Sequence, residues 1–523
     1  MPYPKGDPIL MTSIPHIRLM DGIPTLFVHD EPFIALSGEV HNSSASNLEY
    51  MEREVWPYVT SLNMNTLIVP VYWELIEPEE GRFDFSLVEG LIRQARSHRM
   101  HLILLWFGLW KNAESHYVPA WMKKDTATYF RARKANGEAM NCISPLCEAA
   151  VQKDAHAFGR LMEYIRTIDG EEHTVIVMQV ENEIGLLGTD RDYSPAAHAA
   201  FRQAVPDCVA AEFQVSGTWE EAFGRDAGES FMAYHFARAV ETITRAGQSA
   251  YPLPCYANAW LEQFPWYAGS YPSGGPVRKV HRMWKLMAPS LFCLAPDIYV
   301  PYVPDVMDEY TYEGNPLFIP EVRKDAVAAT YALYAVGGCN AICYAPFGIE
   351  DLLKGPEHLD KPPHEVMIQL NIDPSAFEIE GSAAYLARSY SIIEHFKPLY
   401  LRYRHTGRLQ AFVKRHEHDY GKLLHFSRYD ILVNYPPRAP RKPVGGGMIL
   451  ELSEHEFIVI GTMFRLRFLT KPGKQEQAAI LHLEEGEFVN GRWVAGRVLN
   501  GDERMSVQLK DMPAAYRIVL YEY

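Results

Sequence analysis

Basic clusters are scarce in this chain. Lys+Arg number 50 against 65 Asp+Glu, a net charge of −15 at pH 7, and the densest basic group is Arg278, Lys279, His281 and Arg282. No basic stripe is available to follow a phosphate backbone, which argues against nucleic acid as a partner. Cysteine is sparse too: there are seven, none in CxxC spacing. The closest pairs, Cys142/Cys147 and Cys339/Cys343, lack companion histidines at zinc-site spacing, so the thiols read as reduced and mostly buried. The opening Met1-Pro2-Tyr3-Pro4-Lys5-Gly6-Asp7 has no apolar stretch before a small-residue cleavage site, so no secretory signal is visible and a cytoplasmic location is expected. One long uncharged stretch, Ala326 to Ile349, holds Gly337-Gly338, Asn340 and Pro346, and reads as helix, glycine turn and strand, not as a membrane span. No glycine-rich dinucleotide fingerprint and no P-loop follows any strand, so no cofactor is expected.

What is present is a globular composition, 48% hydrophobic and 22% charged, over 523 residues. At about 100 to 200 residues per domain this length implies several domains, one of which can be a large barrel. Between residues 31 and 350, short β-prone apolar runs alternate with amphipathic helical runs, the pattern of a parallel α/β barrel. Eight strands are expected, at Phe33–Glu39, Asn65–Val71, His101–Phe107, Thr174–Val180, Leu253–Asn258, Leu291–Asp297, Pro316–Glu321 and Ala341–Phe347. Runs such as Ile103-Leu104-Leu105-Trp106 are apolar throughout, as strands buried on both faces are. Connections of roughly 60 residues follow Glu114 and Glu183, and in a barrel such insertions belong to the face that carries active sites. A helix at Ala383–Lys397 closes the region. Beyond residue 400 the period falls to two, with turn signals at Gly445-Gly446-Gly447 and Asn490-Gly491. The expected organisation is an N-terminal extension packing on the barrel (1–30), a (β/α)8 TIM barrel (31–400) and an all-β sandwich (401–523). His416-Glu417-His418, in the last of these, reads as a solvated polar run without chemistry.

The barrel holds the candidate chemistry. Gln179-Val180-Glu181-Asn182-Glu183-Ile184-Gly185 follows the fourth strand, and Phe318-Ile319-Pro320-Glu321 ends the seventh, so Glu183 and Glu321 share the C-terminal mouth. Two carboxyls there are what glycoside cleavage requires: a protonated acid for the leaving oxygen and an ionised group as nucleophile or base. Asn182 supplies an amide for a sugar hydroxyl. Aromatic residues at strand ends, Tyr72, Trp73, Trp106, Phe107, Trp110, Trp260, Tyr299, Tyr344 and Phe347, can stack on the apolar faces of sugar rings or simply fill the core. Glu39, His41, Asn42, Glu74, Asn112, Glu114, Asn258 and Asp297 can bind hydroxyls or satisfy loop backbone. A barrel that binds oligosaccharide without cleaving it would lack one carboxylate, and both are present. A metal hydrolase needs clustered ligands, and no HxH follows the first strand, so no metal is expected.

The Gln179–Gly185 segment resembles the acid/base motif of glycoside hydrolase family 35, the β-galactosidases within the retaining barrel enzymes. Ser37-Gly38 with His41, Glu77-Pro78 with Gly81-Arg82-Phe83-Asp84-Phe85, Ala113-Glu114 and Pro119-Ala120-Trp121 agree with it over about residues 20 to 390. The C-terminal part resembles the small β-domain of a subgroup between families 35 and 42. The resemblance implies Glu183 as acid/base, Glu321 as nucleophile, and a retaining, exo-acting β-galactosidase that removes terminal residues from oligosaccharides. From their positions at the strand ends, Asn182, Glu39, His41, Tyr72, Trp73, Asn112, Glu114, Trp260, Tyr299 and Tyr344 are expected to contact an oligosaccharide substrate, with no membrane partner expected and a homodimer possible. Two segments depart from the pattern: Val322-Arg323 replaces an aromatic residue after the nucleophile, and Gly108-Leu109-Trp110-Lys111-Asn112 replaces a glycine-proline-aromatic run. Those departures keep a β-glucoside-active hydrolase or a glucosyl-transferring enzyme as alternatives.

Overall fold

The computed structural model describes residues 13–354, 359, 363–369, 372–505 and 507–523. Its centre is an eight-stranded parallel barrel of Ala35–Leu36, Thr66–Tyr72, His101–Lys111, Val175–Asn182, Cys255–Trp260, Leu291–Ile298, Phe318–Val322 and Cys343–Pro346. All eight expected strands are there. The first and second strands close the ring through Val40 N–H to Ile68 O (3.2 Å), Ile68 N–H to Gly38 O (2.9 Å) and a bridge between Glu39 and Ile68. Runs apolar on both faces are buried on both, by side chains filling the barrel inside and by helices such as Glu148–Asp169 and Ala227–Ala250 outside.

Residues 1–12 of the expected N-terminal extension lie outside the described residues. The remainder forms a three-stranded antiparallel sheet, His16–Met20, Ile23–Val28 and Glu31–Phe33. It meets the N-terminal ends of the barrel strands, where Phe33 packs edge-on to His101 and His29 lies 5.5 Å from His173. This end is opposite the mouth.

The uncharged Ala326–Ile349 stretch corrects one expectation. Gly337-Gly338 is not a turn but lies inside the helix Ala328–Cys339, which ends on Asn340 in the left-handed conformation (φ 53°). A Cβ on Gly337 would come 2.9 Å from Met448 Cε, so glycine there serves the approach of the C-terminal domain. No helix among the described residues is long and apolar enough to cross a membrane. The closing helix runs Ser382–Tyr403, past the expected end and through Pro398.

The C-terminal part is all β, a six-stranded and a four-stranded antiparallel sheet. Period-two alternation divides the six-stranded sheet cleanly. Ile449, Phe457 and Val459 pack toward the four-stranded sheet, while Met448, Leu450, Ile458 and Ile460 join the core shared with the barrel. Gly446-Gly447, expected as loop punctuation, opens the strand Gly446–Ser453: a Cβ on Gly446 would sit 2.6 Å from Thr330 Cγ2 of the barrel helix, and one on Gly447 would strike the Ile460 carbonyl of the neighbouring strand. Asn490-Gly491 is the expected hairpin turn, with both residues at positive φ.

Candidate active site

The fourth strand ends in an unusual backbone. Glu181 (φ 64°) and Glu183 (φ 46°) are left-handed, as are Asn112 (φ 51°) and Ala113 (φ 61°) facing them at the end of the third strand. Non-glycine residues held there cost on the order of 1–3 kcal/mol each, and such strain gathers where surrounding structure over-determines it. Here Asn112 N–H donates to Asn182 O (3.2 Å), Ala113 N–H to Glu183 O (3.1 Å), and Glu183 N–H to Asn258 Oδ1 (3.0 Å). The result aims Glu183 across the mouth at the end of the seventh strand.

One carboxylate oxygen from each of Glu183, Asp297 and Glu321 lies within 4.8 Å of the others. Glu321 is clamped from two sides, by Tyr299 Oη donating to Oε2 at 2.6 Å and by Asn182 Nδ2 donating to Oε1 at 3.3 Å. Asn182 is itself oriented by Lys111, whose Nζ donates to its Oδ1 at 2.7 Å. Asn258 Nδ2 holds Asp297 Oδ2 at 2.7 Å. Burial, then the charge on Glu321, pushes the Glu183 carboxyl up to about 8. The same two causes hold Asp297 well above the usual carboxylate range, and Glu39 likewise. Each of these three acids is thereby biased toward its protonated form. Among the described residues this triad is also the one group with the spacing of a cation site.

These residues open into a cavity of about 410 Å³, lined by His41, Asn42, Lys111, Asn112, Trp260, Tyr299 and Phe347 among others. Asp351, pushed up by burial but drawn down to about 2 by hydrogen bonds from His41 and Lys324, ties these two side chains together (2.8 and 2.6 Å). Arg323, where the family pattern has an aromatic residue, is fully buried and pairs with Asp325 and Asp373 at 2.6 Å and with Ser375 at 2.7 Å. It thereby fastens the segment carrying Ile372, Ala376 and Phe377 over the cavity.

The structure thus gathers Glu183, Glu321, His41, Asn112, Trp260 and Tyr299 around one space, with Asn182 in the layer beneath. Glu39 is buried under the acids, and neither of its carboxyl oxygens meets a donor among the described residues. Besides Asn182 and Glu39, four expected residues lie outside the cavity lining. Tyr72 donates to the Asn42 carbonyl (2.7 Å) and Trp73 to Glu77 (2.8 Å), each with its ring buried. Tyr344 is fully buried and donates to the Ala328 carbonyl (2.9 Å), while Glu114 is engaged with His116 and Asn141 on the surface side. In each case a nearer partner satisfies the polar group. Lys111 and Arg323 stood out in sequence only as departures from the family pattern, and Lys324 not at all. Their signal was a lysine closing an apolar strand and two cations one residue beyond a strand-end glutamate.

Residues 25–251 match the model described as "Glycosyl hydrolases family 35", and residues 386–509 match one described as "Domain of unknown function (DUF5597)". A "Beta-galactosidase" of Xanthomonas manihotis is 28% identical over 186 residues, 34% of this chain and 29% of that protein. The human "Beta-galactosidase-1-like protein 3" is 26% identical over 184 residues, 34% of this chain and 26% of its own length. The match therefore spans less than a third of either relative. Among solved structures, the β-galactosidase from Bacillus circulans sp. alkalophilus aligns at 13% identity and a TM-score of 0.44 over 60% of this chain and 50% of that one. The first half of the barrel, with the strand end bearing Asn182-Glu183, is thus similar to glycosyl hydrolases family 35.

Proposed function

We propose that this protein is a retaining, exo-acting glycoside hydrolase that removes terminal β-galactosyl residues by double displacement. The observation that carries the reading is the proximity of Glu183 and Glu321, with oxygens within 4.8 Å of one another. Retention requires carboxyls about 5 to 5.5 Å apart, and inversion about 6.5 to 9.5 Å to admit a water. In this account Glu321, ionised and held by Tyr299 and Asn182, attacks the anomeric carbon. Glu183 gives its proton to the glycosidic oxygen as the aglycone leaves. Once Glu321 is esterified its charge is gone, one cause of the raised Glu183 pKa disappears, and Glu183 takes a proton from the water that hydrolyses the intermediate. The Lys111–Asn182 pair holds the amide where a 2-hydroxyl contact strengthens as the oxocarbenium-like transition state forms. The cover of Ile372, Ala376 and Phe377 favours entry by a chain end.

A second reading, a β-glucoside-active hydrolase or glucosyl transferase, is favoured by Lys111 and Arg323 standing where the family pattern differs; a nitrophenyl glycoside panel separates it. The mechanism is tested by azide. Glu321→Gly should lose turnover and regain it with azide as an inverted glycosyl azide, and Glu183→Ala should give a retained azide from an activated substrate. Exchange of these behaviours between the two variants would reverse the assignment.

A further inference from the structure

The fifth barrel strand ends in Trp260, and the residues after it leave the cavity directly for solvent. Trp260, Leu261, Glu262 and Gln263 form part of the cavity wall. Phe264, Trp266 and Tyr267 follow at once, and are 70%, 55% and 62% exposed, three large aromatic side chains within four residues. Single exposed apolar residues need no explanation, but a contiguous group on the rim of a binding cavity does.

This loop is held in place. Trp260 Nε1 donates to Gln263 Oε1 (3.1 Å), Gln263 Nε2 to the Ser270 carbonyl (2.7 Å), Trp266 N–H to the Gln263 carbonyl (2.8 Å) and Ser270 Oγ to the Tyr267 carbonyl (2.7 Å). Its far end is fastened by Tyr271 Oη donating to buried Glu229 (2.9 Å) and by Gly188 N–H donating to the Gly269 carbonyl (2.8 Å). Trp266 itself sits in the left-handed region (φ 66°), which a bulky residue occupies only when the surroundings impose it. The backbone is thus ordered while the rings are left without cover. Between residues 260 and 272 there is no Lys or Arg, and the one charged residue is Glu262.

We propose that Phe264, Trp266 and Tyr267 form a stacking platform for the sugar units beyond the scissile bond, so that the substrate is an extended neutral glycan and not a disaccharide. The inference rests on the reading of the cavity as a glycosidase site. Sugar rings offer C–H faces to aromatic planes. An ordered platform needs no ordering on binding. The segment itself brings no cation to an acidic glycan.

The test compares the native protein with a Phe264→Ala/Trp266→Gly/Tyr267→Ala variant, glycine being suited to the left-handed position. The probes are nitrophenyl β-galactoside and β-1,4-galactosyl oligosaccharides of two to four units. In the native protein kcat/KM should rise about tenfold or more with length. The variant should lose that rise while its aryl-galactoside turnover and circular dichroism stay unchanged. Equal length dependence in both proteins, or none in the native protein, overturns the platform and leaves the glycosidase reading standing. A second measurement needs no turnover: gel retardation of Glu321→Gln, with and without the triple substitution, by soluble β-galactan, β-glucan, β-mannan and xylan. Retardation by a glycan that the triple substitution removes supports the platform even if no aryl glycoside is cleaved, which would instead sink the glycosidase reading. No retardation by any of the four overturns it, as does a change of molecular mass in solution showing that the patch seats a second copy.

Discussion

Glu181 and Glu183 lie two residues apart on one strand end, both buried, both in left-handed backbone and both with carboxyl pKa values raised first by burial. Their partners differ. Glu181 turns away from the mouth, accepts Leu109 N–H (3.1 Å) and Trp110 N–H (2.6 Å), and is held up by burial and then by the Asp154 carboxyl beside it, which in turn accepts from Trp106 Nε1 and Leu109 N–H at 2.8 Å. Gly108 is required beside them, since a Cβ would fall 2.5 Å from both carboxyls. Glu183 instead faces a cavity and another carboxylate. The contrast teaches that burial and a raised pKa mark a costly carboxyl but not its task; the task is set by whether protein groups use up its hydrogen bonds. Glu181 shapes the strand end bearing Lys111 and Asn112, and Glu183 is left free to react.

Four sets of experiments break or sharpen this contrast, the largest effect first. Glu183→Gln should lower kcat for a poor leaving group by about 10²- to 10⁴-fold, and Glu321→Gln should reduce turnover to background, both without loss of stability. Equal activity loss in Glu181→Gln would erase the distinction. Glu181→Ala should act through the fold, stranding the buried Trp110 N–H at about 1–3 kcal/mol while Leu109 N–H keeps Asp154 as its acceptor, seen as a lower melting temperature by calorimetry; an unchanged melting temperature would contradict its structural role. The two carboxyls should also separate in pH. Loss of the Glu183 proton should cut kcat/KM as pH rises through about 8, and with an activated aryl glycoside that limb should vanish in Glu183→Gln. Asp154, pushed by burial to about 6, binds a proton in the folded chain that the unfolded chain has already released above its ordinary value of 3.8. Its contribution is therefore full below that value and lost as pH rises toward about 6, which pH-dependent melting of Asp154→Asn against the native protein should show. The smallest effect is on metal: the Glu183, Asp297 and Glu321 oxygens could take a cation, yet proton transfer and a carboxylate nucleophile need none, so exhaustive EDTA should leave the rate unchanged. Restoration of a lost rate by zinc, magnesium or manganese would move the protein to another class.

The barrel was legible because its strands are buried on both faces and write themselves as unbroken apolar runs. Arg492–Val498 was not, since its strand is almost wholly exposed and no face distinguishes it. Gly337 and Gly446 read as turn residues because a close approach between a helix and a distant sheet leaves the same local mark as a bend. At the site, Asn182-Glu183 and Glu321 were visible as polar residues ending apolar strands. The work of Lys111 and Arg323 was hidden, because it depends on Asn182 and Asp373, which lie far away in sequence. Tyr72 and Tyr344 looked the same as Tyr299 in sequence, and only the direction of each hydroxyl separates them.

The central claim, that Glu183 and Glu321 act together through a covalent intermediate, is tested most directly by proton NMR of the sugar first released from an aryl β-galactoside. The account predicts the β-anomer, appearing before mutarotation produces any α-anomer. Initial release of the α-anomer would mean a single displacement by water and would contradict it.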